Sequence, residues 1–74
     1  MNSNHYIFYF DYKSKTIVDN TVYTDIEAVE KKAIQMGRAF DSSGRALVLS
    51  DPNPRSLVYT SSTIDVYILK LIFP

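Results

Sequence analysis

Only one stretch of this sequence has the period of an amphipathic helix, and the rest of its apolar segments read as strands. Ile26, Val29, Ala33, Met36 and Phe40 recur at spacings of three and four, which puts them on one stripe. Glu27, Glu30, Lys31, Gln35 and Arg38 fill the remaining surface. Thr24-Asp25-Ile26-Glu27 matches a capping box, in which the Thr24 hydroxyl accepts from the Glu27 backbone N–H. Asp41-Ser42-Ser43-Gly44 closes the element, and Gly44 suits a left-handed cap. Gly37 borders the stripe, where glycine costs about 1 kcal/mol relative to alanine. A close approach of helix to sheet would account for it. The helix is expected over about residues 25–41.

A single helix can cover only one face of a sheet, yet the strands are apolar on both. Residues 5–12 alternate Tyr6, Phe8, Phe10 and Tyr12 with Ile7, Tyr9 and Asp11. Residues 13–15 read as a turn, and residues 16–23 as the returning strand of a hairpin, bulged near Asp19 and Asn20. Residues 45–50 and 56–60 read as strands separated by the loop Asp51-Pro52-Asn53-Pro54-Arg55. Of residues 66–74 only Lys70 is charged. Ile64, Val66, Ile68 and Ile72 fall on one side there, with Tyr67, Leu69, Leu71 and Phe73 on the other. Lys70 shares the Ile68 side, so its ammonium must pass the helix end or the strand must bulge. The fold predicted is a single α+β domain over residues 1–74, of order ββαβββ, with one helix packed on an antiparallel sheet.

Composition narrows the function classes. A chain of 74 residues removes only about 60% of its unfolded surface from water. Small domains often need a disulfide, a metal or another subunit. There is no cysteine, and His5 is the only histidine, so association with another chain is the staple left. Eight basic residues balance eight acidic ones, which argues against phosphate binding as the main task. No run of apolar residues is long enough to span a membrane as a helix. The opening residues lack the basic region of a secretory signal, so a cytoplasmic location is expected.

No catalytic, metal or cofactor constellation emerges. The aspartates are spread singly, no G-x-S-x-G surrounds a serine, and two glycines cannot make a phosphate-cradling loop. No orienting group for His5 can be recognised in the sequence, and it reads as a surface or strand-edge side chain. The expectation is a non-catalytic protein–protein interaction module, acting as a regulator, adaptor or inhibitor of a larger protein. Its size suits the accessory proteins of bacteria or their phages. The contact residues expected are Tyr9, Tyr67, Leu69, Leu71 and Phe73 on the uncovered face, with Pro52, Asn53, Pro54 and Arg55 in the rigid loop. A homodimer formed through a sheet face or the C-terminal strand is the simplest partner arrangement. The alternative is a nucleic-acid-associated module that stacks bases on Tyr6, Phe8, Phe10 and Tyr12.

Overall fold

The structure, a computed structural model, describes residues 4–49 and 51–72. One helix packs on a five-stranded antiparallel sheet, as the sequence predicts. The elements are β1 (Asn4–Tyr12), β2 (Lys15–Val18), α1 (Ile26–Phe40), β3 (Arg45–Ala46), β4 (Arg55–Thr60) and β5 (Ile64–Ile72). The sheet order is β2-β1-β5-β4-β3.

β1 and β2 form a hairpin whose two turn residues, Lys13 and Ser14, both have positive φ (47° and 66°). That pair of dihedrals matches the right-handed twist of the flanking strands. Beyond Val18 the ladder breaks, as expected near Asp19 and Asn20. Pairing resumes where Tyr23 bridges Tyr6, with the register slipped by two residues.

The helix begins one residue later than the capping box implies. Asp25, not Thr24, is the N-cap, and its carboxylate accepts from the Glu27 N–H at 3.1 Å. The buried stripe is also rotated from the expected one. Val29, Ala33 and Gly37 are buried, with Ile26 and Ile34 beside them, while Met36 and Phe40 lie at its margin. Phe40 presents its ring to Phe10 and Tyr12 in edge contacts at 6.2 and 5.2 Å.

The reason for the rotation is Tyr59. A Cβ at Gly37 would lie 2.6 Å from Tyr59 Cδ1, so only glycine lets the helix come this close to β4. Gly44 serves the same ring and not a left-handed cap, since no described glycine has positive φ. A Cβ there would lie 2.5 Å from the Thr60 carbonyl oxygen and 2.7 Å from the Tyr59 ring. The Tyr59 hydroxyl donates to the Asp41 carbonyl and accepts from the Gly44 N–H. An extra residue in β4, Val58, lets Val58 and Tyr59 both turn inward although they are adjacent.

The third strand is much shorter than residues 45–50. After Ala46, Leu47 makes one backbone bond to Val58, then the chain leaves the sheet. Leu49 packs against the core and Pro52 is fully buried, while Val48, just before them, is 98% exposed. The Asn53-Pro54 peptide bond is cis. Lys70 needs no bulge in its pairing with β1. It lies beside Tyr6 on the helix side and reaches Asp51 of this loop at 3.3 Å.

Two predictions follow from the Tyr59 contacts and the Asp41 cap. Gly37→Ala should destabilise by more than about 1 kcal/mol in urea unfolding, because the clash outweighs the gain in helix propensity. The penalty should shrink in a Tyr59→Leu background, as coupled neighbours require; equal penalties in both backgrounds would exclude the clash. Asp41 accepts from the Ser43 hydroxyl, the Thr63 hydroxyl and the Ser43 N–H, which hold its carboxyl well below the usual carboxylate range. A carboxyl depressed in the folded state stabilises above its unfolded pKa of about 3.9, and that contribution fades as pH falls below it. The unfolding midpoint should therefore drop from pH 4 towards pH 2 less steeply in Asp41→Asn than in the parent. Parallel pH profiles would show that Asp41 contributes nothing.

Candidate functional site

Alternation along β1 and β5 divides the sheet into two unlike faces. Tyr6, Phe8, Phe10 and Tyr12 pair across with Lys70, Ile68, Val66 and Ile64 on the helix side. Tyr6, Phe8, Ile64, Val66 and Ile68 are buried there. The base-stacking platform drawn from the sequence is thus closed, because its rings form the core or its margin.

The other face has no helix over it and carries side chains in ordered rows. Ile7, Leu69 and Arg55 make one row across β1, β5 and β4. Val18, Tyr9, Tyr67 and Leu57 make the next, and Thr16, Asp11, Asp65 and Thr60 the third. Leu71 extends the apolar strip opposite His5. Leu57, Leu69, Leu71, Ile7 and Tyr67 are each half-buried, and among the described residues no helix lies over them. The face is therefore drier than bare strands would be.

Its centre is an aromatic and cationic stack. The rings of Tyr9 and Tyr67 lie 5.2 Å apart and 17° from parallel. The Arg55 guanidinium lies over the Tyr67 ring, 4.9 Å from its centroid, and donates to the Tyr9 hydroxyl at 2.8 Å. That hydrogen bond is the main reason the Arg55 pKa is raised. Burial, then Asp65, raises the Tyr67 phenol. Asp11 and Asp65 are direct cross-strand partners, an unfavourable arrangement for like charges. Each is satisfied from the flank, by Thr16 at 3.1 Å and Thr60 at 2.6 Å.

Of the contact residues expected from sequence, Tyr67, Leu69, Leu71 and Arg55 are brought onto this face, and Tyr9 lies on the same side but is itself buried. Arg55 opens β4 and belongs to the sheet, although the sequence placed it in the loop. Asn53 and Pro54 are exposed beyond the strand end. Pro52 is a correction: its ring is fully buried, so it cannot touch a partner. Phe73 lies outside the described residues. The C-terminal strand is corrected as a docking edge as well. β5 occupies the middle of the sheet, hydrogen-bonded to β1 and β4 on its two sides. Leu57 and Val18, which sequence reasoning missed, join the face only through strand order, which no local signal reveals.

Among the described residues no group of three or more His, Cys, Asp or Glu side chains is arranged to hold a metal. No described helix is long and apolar enough to cross a membrane. No protein family model matches the chain, and no curated protein or solved structure matches it either.

Exposed cation–π pairs contribute about 0.5–1 kcal/mol. Arg55→Ala should therefore lower stability only slightly in urea unfolding, with the phenol absorbance titration of Tyr67 moving upward as its cationic neighbour disappears. A loss several times larger would assign Arg55 to the folding core instead.

Proposed function

We propose that this domain is a non-catalytic protein-binding module, a regulator, adaptor or inhibitor that lays its open sheet face against a larger protein. One observation carries the reading. An apolar strip of Ile7, Leu57, Leu69 and Leu71 flanks a Tyr9, Tyr67 and Arg55 stack on a sheet face with no helix over it. Tyr and Arg are the residue types over-represented at the energetic centres of protein interfaces. Fully burying an exposed Leu recovers about 1.5–3 kcal/mol, of which the half-buried leucines here retain a part. Arg55 contributes a fixed, pre-ordered cation, which limits the entropy lost on docking. The row of Asp11 and Asp65 weighs against nucleic acid on the same surface, since it sets two carboxylates beside the stacked rings of Tyr9 and Tyr67. A cytoplasmic setting remains part of the proposal.

The test is capture from the native host, identification of the bound protein by mass, and titration of the purified pair by calorimetry. Leu69→Lys and Arg55→Glu should each weaken binding at least ten-fold, while Lys32→Glu on the outer helix surface leaves it unchanged. Unaltered binding by both face variants, with folding confirmed by circular dichroism, would show that the surface is wrong. Labelled single strands should fail to bind at low salt; steeply salt-dependent binding would favour the nucleic-acid alternative.

A further inference from the structure

β2 is an outer strand of the sheet. The two-residue turn makes Tyr12 and Lys15 the closing hydrogen-bonded pair, and alternation makes Phe10 and Ile17 the next. The Asp19 N–H donates to the Phe8 carbonyl at 3.1 Å, which keeps the same phase. Thr16 and Val18 therefore turn their N–H and C=O groups away from β1, and among the described residues no strand lies beyond them. Edge strands are usually guarded by short length, charge, proline or a bulge, and β2 is short, begins at Lys15 and ends at the break after Val18. Here Ile17 and Val18 are 48% and 47% exposed, one on each side of the sheet. On the helix side Ile17 borders a groove of about 150 Å³ lined also by Phe8, Phe10, Met36, Val18 and Asp19.

The sequence of this edge is complementary to itself. Lys15, Thr16, Ile17, Val18 and Asp19, laid antiparallel against a second copy and centred on Ile17, set Lys15 opposite Asp19 and Thr16 opposite Val18. The phase also fits. Thr16 and Val18 both point outward, so the two Thr16-to-Val18 pairs are the hydrogen-bonded ones and supply four backbone bonds. Ile17 then meets its own copy as the close, non-hydrogen-bonded pair. The two Lys15-to-Asp19 ion pairs flank the isoleucines on the helix side of the sheet. We propose that β2 is a self-pairing edge, through which two copies of this chain join their five-stranded sheets into one continuous sheet. The two-fold axis runs perpendicular to the sheet, so the two open faces look the same way. The pairing uses an edge and not the open face, so it stands independently of the protein-binding reading.

Sedimentation velocity from about 10 to 500 µM should show a concentration-dependent monomer–dimer equilibrium, as a small interface implies. Ile17→Lys should leave a monomer throughout, and Leu69→Lys on the open face should leave the dimer intact. Lys15→Asp alone, or Asp19→Lys alone, should weaken association roughly ten-fold by setting like charges opposite. The double reversal should restore it. Ile17→Cys, the only cysteine in such a chain, should oxidise to a covalent dimer, because the close pair brings its Cβ atoms within disulfide reach. A parent that stays monomeric at the highest concentration overturns the proposal. So does a dimer that survives Ile17→Lys, or one lost on Leu69→Lys, which would place the contact on the open face. Failure of the double reversal to recover association, in a chain folded by circular dichroism, overturns the register and the proposal with it.

Discussion

Tyr59 is the side chain on which the arrangement of this fold turns. Its ring is fully buried and fills the space that Cβ atoms at positions 37 and 44 would need. The chain has two glycines, and both abut this ring. Its hydroxyl ties the Asp41 carbonyl, at the helix C-terminus, to the Gly44 N–H just before β3. Glycine is unfavourable inside a helix, yet at position 37 it lets α1 descend onto β4. Tyr59 faces inward in turn because the extra residue Val58 shifts the β4 register. A strand irregularity, one aromatic ring and two missing Cβ atoms thus decide where the helix lies.

That position governs what stays outside the core. Strands lie about 4.8 Å apart, so five of them span roughly 19 Å, whereas a helix with its side chains is about 10–12 Å wide. One helix cannot shield the whole sheet. Centred on the middle strand, α1 lies over β4, β5 and β1 and leaves the outer strands β2 and β3 largely uncovered. This is why Ile17, Met36 and Phe40 are exposed together on the β2 side. The uncovered edge and the opposite open face share one cause, a sheet with more apolar surface than a single helix can bury.

Much of this was legible in the sequence, and the omissions have physical reasons. The helix, the hairpin, the bulge after Val18 and the close approach at Gly37 rest on local chemistry, and local chemistry is what a sequence displays. Thr24 and Asp25 are both good caps, and their order was decided by where the helix had to meet the sheet. Residues 45–50 have strand composition, but Leu49 and Pro52 gain more by folding onto the core than by extending an outer strand. Strand order was invisible, and with it the central place of β5. The same holds for Arg55, whose hydrogen-bond partner Tyr9 is 46 residues away. Lys70 breaks the apolar alternation of its strand in the sequence itself, whereas its partner Asp51 is visible only in three dimensions.

The two apolar surfaces differ in what they can specify. The open face offers area and a fixed cation, but its backbone is already paired and its side chains shield one another. A partner gains there only what the neighbouring rows leave exposed, and no backbone pattern dictates its alignment. The β2 edge offers little area but carries a strict phase. A slip of one residue would set the outward groups of Thr16 and Val18 against inward-pointing ones, and a slip of two would separate the two isoleucines. Contact with another protein favours the first kind of surface, because it tolerates differently shaped partners. A defined relation between identical copies favours the second. The hydrogen-bond phase of β2, fixed by the two-residue turn at Lys13 and Ser14, is what makes that separation possible.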